Sequence, residues 1–148
     1  GAAGALDPKL NIGDVIVAIS TVEHDFRNGF GPRRVPVFQG SPDAVGQFRA
    51  LAKSDRPFQV HFGRVASGDE DIVDAERRDA LLDMTNALAV AWEGAGGARA
   101  CQFSEMPFLE IRAITDVADE KASTSFRENL QQAIGNAAQL TIEWLAER

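Results

Sequence analysis

A short run of β-branched residues near the start of the chain constrains its fold more than any other feature. Residues 15–19 read Val-Ile-Val-Ala-Ile, a pattern typical of a strand that is buried on both faces. Such strands lie in parallel sheets that helices cover on both sides. No apolar run in the sequence approaches the roughly 18 residues that a membrane-spanning helix needs. The run therefore predicts a strand in the core of an α/β protein.

Strand and helix patterns alternate along the whole chain. Further strands are predicted at residues 58–65, 87–91 and 108–114, with a short extended segment at 35–38. Helices are predicted at residues 42–53, 71–84, 94–103 and 125–147. Ser41 caps the first helix, and a capping box of Ser125 and Glu128 opens the last, which is expected to be scaffold. The alternation predicts one α/β domain over residues 1–148, with a mixed, largely parallel central sheet flanked by helices.

Charge and cysteine content exclude several classes of function. The 148 residues include 22 acidic and 15 basic side chains, which gives a net charge of −7. An acidic chain lacks the basic surface that binds nucleic acids or anionic membranes, so we expect neither partner. The lone Cys101 excludes a disulfide framework, and neither His24 nor His61 has metal-ligand spacing. We expect no metal, no cofactor and, since no secretory signal pattern is present, a cytoplasmic location.

Three polar segments come where predicted strands end. They are Ser67-Gly68-Asp69, Trp92-Glu93-Gly94 and Thr115-Asp116. Ligands of α/β sheets bind beyond the carboxyl ends of the strands. We therefore expect these three segments to border one ligand site.

The same segments, together with flanking motifs, carry a family resemblance. The matching stretches are Gly1–Leu6 with Leu10–Asp14, His24-Asp25, Val65–Asp69, Ala89–Ala95 and Pro107–Asp119. In this order they resemble the C-terminal two-thirds of a bacterial 5′-methylthioadenosine/S-adenosylhomocysteine nucleosidase, within the purine-nucleoside phosphorylase superfamily. The most specific motif is Arg-Ala-Ile-Thr-Asp-Val-Ala-Asp at residues 112–119. The resemblance implies a nucleoside phosphorylase-like fold without its N-terminal part, and a hydrolase that cleaves the N-glycosidic bond of an adenine nucleoside.

The resemblance assigns roles to several of these residues. Asp116 matches the acid that protonates the purine at N7, with Thr115 beside it as a local orienter. Glu93 matches the glutamate that binds the ribose hydroxyls and stabilises the developing positive charge. Taken alone, Asp116 also suits a capping or loop residue, and Glu93 suits a first-turn acid favoured by the helix dipole. Trp92 stands where the family usually has Met, and it packs either on the ribose or in the core.

Other positions match the family pattern or depart from it. Asp71 lies where the family usually stacks an aromatic side chain on the base, and Ile72 matches the residue whose backbone meets the adenine edge. Ala2 and Gly4 match the loop that approaches the sugar and the nucleophile. Because phosphorylases commonly have a phosphate-binding Ser at the position of Ala2, its methyl group favours water over phosphate.

The resemblance also implies a homodimer, in which a loop of one subunit reaches the pocket of the other. Phe30 and Phe38 lie in that loop and either cover the partner's ligand or anchor the loop. The family's water-activating glutamate belongs to a segment before the start of this sequence, so the chain alone is expected to be inactive. A superfamily nucleoside phosphorylase and a catalytically degraded nucleoside-binding protein remain alternatives. The 5′ substituent stays open among methylthio, homocysteinyl, deoxy and a menaquinone-pathway precursor.

Overall fold

A computed structural model describes residues 1–27 and 35–147 of the chain. The strands are β1 (Ala2–Ala5), β2 (Val15–Glu23), β3 (Val37–Gln39), β4 (Val60–Ser67), β5 (Ala89–Ala91) and β6 (Ile111–Asp116). The helices are α1 (Pro42–Leu51), α2 (Ala75–Thr85), α3 (Gly94–Phe103) and α4 (Ala122–Ala146). None of the helices in the described ranges is long and apolar enough to cross a membrane.

The six strands form one mixed sheet, and five of them pair in a closed ring. The ring runs β2–β4–β5–β1–β6 and closes where the first residues of β2 pair with β6, while later residues of β2 pair with β3. Parallel pairing joins β2 to β4, β4 to β5 and β1 to β6. Antiparallel pairing joins β2 to β3, β2 to β6 and β1 to β5. The prediction of a mixed α/β sheet flanked by helices is confirmed.

Strand β2 is buried on both faces, as its residue types predict. Val15 and Val17 pack in one apolar cluster, and Ile16 and Ala18 pack in another. All four side chains are fully buried. The strand continues beyond the predicted segment to Glu23. Its central place explains why the first apolar run of the sequence determines so much of the fold.

Helices α1 and α4 pack together against the sheet. Phe48 of α1 and Leu140 of α4 are fully buried in the cluster that contains Val15 and Val17. Phe48 also stacks on Trp144, with ring centroids 5.0 Å apart. Burying a side chain of this size stabilises a fold by about 1.5–3 kcal/mol. The cluster therefore fixes the long helix α4 beside β6, where the candidate ligand site lies.

Strands β3, β4 and β5 each begin two residues later than predicted, and two further corrections bear on the site. The Gly/Ala-rich start of the chain contains no strong strand former, yet Ala2–Ala5 form β1 between β5 and β6. Its small side chains suit a central strand that neighbours approach closely. Strand β6 starts at Ile111 and ends at Asp116, later than predicted. This shift matters because it puts Thr115 and Asp116 within the strand end.

Two helix starts also differ from the predictions. Residues 71–73 precede α2 and are not helical, because Asp74 is the N-cap and its carboxylate accepts from the Arg77 backbone N–H at 2.8 Å. The capping box of Ser125 and Glu128 does not open α4, which begins at Ala122. Asp119 provides the preceding turn, since its carboxylate accepts from the Lys121 N–H at 2.9 Å. The earlier start brings α4 closer to the end of β6.

Candidate functional site

A cavity of about 460 Å³ opens where β5 and β6 end, beside β1. Small-molecule sites usually have volumes of about 300–1,000 Å³. The cavity is lined by all eight residues that were predicted to contact a nucleoside, namely Ala2, Gly4, Asp71, Ile72, Trp92, Glu93, Thr115 and Asp116. They meet because β1, β5 and β6 are neighbours in the sheet although they are far apart in the sequence.

Asp116 is a buried carboxyl at the end of β6. It is 8% exposed, and its Oδ1 accepts from the Ala118 backbone N–H at 3.0 Å. Ala118 has a φ of 50°, a left-handed conformation that costs a non-glycine residue about 1–3 kcal/mol. Gly4 lies against the same carboxyl, since a Cβ at that position would be 2.8 Å from Oδ1. The side chain is thus held between β1 and the strained turn that leads to α4.

Thr115 is in position to orient the carboxyl of Asp116. Its Oγ1 lies 2.8 Å from Asp116 Oδ2 and 3.3 Å from the carbonyl oxygen of Ala3. A hydroxyl has one proton and two acceptor sites. It therefore donates to Asp116 when that carboxyl is ionised. The carbonyl oxygen of Ala3 is the alternative acceptor for the same hydroxyl proton.

Glu93 borders the cavity at the start of α3. Its Oε2 pairs with Arg112 Nη1 at 2.7 Å, and the Arg112 side chain is 8% exposed. Burial opposes ionisation of Glu93, but the N–H of its own backbone and the Arg112 guanidinium outweigh it. Together they hold the pKa of Glu93 below its ordinary value. Glu93 is therefore a carboxylate that accepts hydrogen bonds at neutral pH.

Ser67 fixes the turn that carries Trp92 and Glu93. It is fully buried at the end of β4, and its hydroxyl donates to the Trp92 carbonyl at 2.9 Å. The same oxygen accepts from the Ala95 N–H at 2.9 Å. This second contact satisfies one of the N–H groups that the start of a helix leaves without an intrahelical partner. Sequence analysis placed Ser67 at a strand end but did not reveal this capping contact across strands.

Asp71 and Ile72 lie in the loop between β4 and α2. Ile72 is 6% exposed and Asp71 is exposed, and both line the cavity. Glu70 beside them forms a two-point ion pair with Arg77, with nitrogen–oxygen distances of 2.7 and 2.6 Å. The hydrogen bonds from Arg77 lower the pKa of Glu70 below its ordinary value. The loop is thereby fastened to the first turn of α2.

The first turns of α4 complete the wall of the cavity. Their lining residues are Ala122, Ser123, Phe126 and Arg127. The expectation that this helix is only scaffold is therefore wrong for its first turns. Phe126 is 39% exposed and presents an aromatic ring to the cavity, whereas Asp71 cannot. The misplaced helix start concealed this contribution.

The structure separates the aromatic candidates. Trp92 is 57% exposed at the edge of the cavity, which rules out its alternative role as a core residue. Phe38 is 9% exposed and packs on Ala95 and Ala98 of α3, as the anchoring alternative predicts. Phe30 lies outside the described residues.

His24 and Asp25 support the loop after β4 and do not form a dyad. Asp25 accepts from the Asp69 N–H at 2.8 Å. The ring of His24 is buried, neither of its nitrogens has a hydrogen-bond partner among the described residues, and Glu70 lies 3.9 Å away. Burial lowers the pKa of His24, so the ring is neutral at physiological pH. No group of three or more potential metal-ligating side chains occurs among the residues that the structure describes.

Comparison with known proteins agrees with this site. The family model described as "Phosphorylase superfamily" matches residues 1–146. A 5′-methylthioadenosine/S-adenosylhomocysteine nucleosidase of Bacillus thuringiensis (strain Al Hakam) is 30% identical over 155 aligned positions, gaps included. The alignment covers 99% of this chain and 67% of the relative. The chain belongs to this nucleosidase family of the phosphorylase superfamily. It spans about two thirds of the length of its relatives.

Solved structures of the nucleosidase family share the fold described above. The Helicobacter pylori nucleosidase is 32% identical, with a TM-score of 0.89 over 100% of this chain and 66% of that one. The Neisseria meningitidis nucleosidase, in complex with methylthio-immucillin-A, is 30% identical, with a TM-score of 0.91 over 100% and 68%. Futalosine hydrolase of Helicobacter pylori is 31% identical, with a TM-score of 0.90 over 100% and 66%.

Proposed function

We propose that the protein containing this chain hydrolyses the N-glycosidic bond of an adenine nucleoside of the methylthioadenosine or S-adenosylhomocysteine type and releases adenine. The proposal rests on one observation: two carboxyl groups in different environments line the same cavity. Asp116 is buried and hydrogen-bonded, whereas Glu93 is exposed and ionised. Two carboxyl groups in such different environments suit two different roles in one reaction.

Asp116 is the proposed acid at the purine. When its carboxyl carries a proton, it donates that proton to N7 as the bond between the sugar and N9 breaks. The bonding electrons go to the base, which leaves as neutral adenine. Thr115 orients the carboxyl through the hydrogen bond between its hydroxyl and Asp116 Oδ2.

Glu93 is the proposed partner of the sugar. A carboxylate accepts hydrogen bonds from ribose hydroxyls and stabilises positive charge that develops on the ring as the base leaves. Water then adds to the anomeric carbon and loses a proton to a base. We propose that this base lies outside the present chain, which spans about two thirds of the length of its relatives, so the assays use the full-length protein.

Water is the proposed nucleophile in place of phosphate. Ala2 lines the cavity on β1, and its methyl group cannot donate a hydrogen bond to phosphate. We also propose that the protein works in the cytoplasm as a homodimer, as the family resemblance implies. Cell fractionation tests the location, and the homodimer is tested below.

Adenine release by the full-length protein tests the proposed function. We expect release from methylthioadenosine at the same rate with and without phosphate. Asp116→Asn keeps the size of the side chain but cannot donate a carboxyl proton, so we expect a loss of about 10²–10⁴-fold in kcat/KM. Release that requires phosphate would indicate a phosphorylase, and binding without release would indicate a nucleoside-binding protein. S-adenosylhomocysteine and 5′-deoxyadenosine, assayed in parallel, carry the same base and identify the preferred 5′ substituent.

A further inference from the structure

A second buried carboxylate lies behind the proposed sugar site, and the reaction described above does not use it. Glu110 comes immediately before β6 and is 5% exposed. Its carbonyl accepts from the Ala18 N–H of β2 at 2.9 Å, which fixes its backbone in the sheet. Its carboxylate accepts from the hydroxyl of Thr21, which is fully buried, and from Arg112 Nε at 2.7 Å.

Arg112 connects this buried carboxylate to the cavity. Its Nε faces Glu110, while its Nη1 pairs with Glu93 at 2.7 Å and donates to the Ala2 carbonyl at 3.2 Å. One buried guanidinium thus joins an inner carboxylate to an outer one. Because a guanidinium is a rigid planar fork, fixing the Nε side also fixes the direction of Nη1.

Gly94 provides a second contact between Glu110 and the turn that carries Glu93. A Cβ at position 94 would lie 2.5 Å from Glu110 Oε2 and closer still to Oε1. The φ of Gly94 is not among the positive values, so space and not backbone conformation requires glycine here. The carboxylate of Glu110 therefore packs directly under the first residue of α3.

We propose that Glu110 is a positioning residue. It holds Arg112 against Glu93 and so fixes the orientation of the Glu93 carboxylate, which binds the sugar. The inference rests on the proposed function and deepens it. A buried ion pair is weak support for stability, because desolvation offsets much of its attraction. Its value here is geometric: without Glu110, Arg112 loses the acceptor at Nε and is free to turn away from Glu93.

Glu110→Ala in the full-length protein tests the inference. We expect kcat/KM for methylthioadenosine to fall about 10- to 100-fold, since small displacements of a positioning group have effects of this size. The loss should appear mainly in KM, whereas the Kd for free adenine, which has no sugar, should not change. Glu110→Gln keeps an oxygen that accepts from Arg112 and should restore most of the loss. The matched control is Glu143→Ala, which removes a carboxylate that pairs with Arg56 at 3.2 Å outside the cavity lining.

A double-mutant cycle separates a positioning role from a general structural role. If Glu110 acts through Glu93, Glu110→Ala should add almost nothing to the loss caused by Glu93→Gln. Additive losses, or kcat/KM of Glu110→Ala within about twofold of the wild type, would overturn the inference. Should Glu110→Ala fail to fold, Gly94→Ala disturbs the same carboxylate while keeping every charge, and it should raise KM in the same way.

Crystal structures of the wild-type and Glu110→Ala proteins give a readout that does not depend on activity. We expect the Arg112–Glu93 ion pair to persist in the wild type and to be lost in the variant. Its persistence in the variant overturns the positioning role even if the protein hydrolyses no nucleoside. Absence of adenine release by the wild type would instead refute the proposed function.

Discussion

The buried imidazole of His24 makes the stability of the protein depend on pH. Burial lowers its pKa below the ordinary value of 6.5. Below that pH the unfolded chain binds a proton that the folded ring does not, so the free energy of unfolding decreases as the pH falls. We expect the wild-type Tm to drop between about pH 8 and pH 5.5, a window that spans the ordinary His pKa of about 6.5.

The variant His24→Gln isolates this effect, because it removes the titrating group. Its Tm should depend less on pH over the same window, as measured by thermal unfolding of the full-length protein. Glu70 does not interfere, since its pKa is lowered from 4.5 and its contribution is lost only at more acidic pH. Equal pH dependence of the wild type and the variant would contradict the prediction.

Individual site residues could be predicted only where a motif marked them. The positions of Asp116 and Glu93 at the cavity could be predicted because each comes where a predicted strand ends and matches a family motif. Arg112 belongs to the same motif, yet its contact with Glu93 was missed because it depends on how β6 and α3 meet. One signal was available: Glu110 and Arg112 are two residues apart, a spacing that puts side chains on the same face of a strand.

The N-terminus of α3 shows how one strand can cap a helix that belongs to another part of the chain. We expect Ser67→Ala to lower the free energy of unfolding by about 0.5–2 kcal/mol, the usual range for a lost cap. We also expect a lower kcat/KM, because the Ser67 hydroxyl holds the turn on both sides of Glu93. Urea unfolding and adenine release by the full-length protein measure the two effects.

Ser41→Ala is the matched control for this prediction. Ser41 caps α1 and accepts from the Ala44 N–H at 3.4 Å, and it does not line the cavity. Its loss should lower stability but leave kcat/KM unchanged. If both variants had the same activity as the wild type, the cap at α3 would be purely structural.

The elements of the fold were predicted according to the strength of their local signals. The β-branched run correctly predicted strand β2, and Ser41 with Pro42 correctly predicted the start of α1. Strand β1 was missed because its four Ala and Gly residues have no strand preference of their own, and its neighbours in the sheet determine its conformation. The start of α4 was predicted too late. The capping box of Ser125 and Glu128 suggested a start there, but the turn at Asp119 already begins the helix at Ala122.

The topology of the whole sheet creates the site, and no local pattern predicts it. The five-stranded ring places β1 between β5 and β6, so residues near both ends of the sequence line one cavity. Such pairings join segments more than a hundred residues apart, as in the register of Ala2 with Ala113. The family resemblance supplied this information because related chains with the same ordered motifs share the same topology.

The surface of α3 bears on the proposed homodimer. Phe103 at the end of α3 is 85% exposed, and Met106 just beyond it is 63% exposed. Because contiguous exposed apolar surface marks interaction sites, we take these two side chains as the candidate contact. On the same helix, Arg99 lies over the rings of Phe26 and Phe38, at 6.0 and 5.3 Å from their centroids. Helix α3 therefore lies beside the loop that, by the family resemblance, reaches the partner's pocket. This position favours the exposed surface of α3 as the dimer interface.

We expect sedimentation of the full-length protein to give twice the mass of one chain, and Phe103→Glu to shift the equilibrium toward monomers. A charge at a buried apolar contact has no partner, so association should weaken by about tenfold or more. Ile142→Glu is the matched control, because Ile142 is 65% exposed and belongs to a different helix, α4. A wild-type monomer at every concentration would refute the homodimer. A dimer that tolerates Phe103→Glu but not Ile142→Glu would move the interface to α4, so the two variants decide between the exposed apolar surfaces of the two helices.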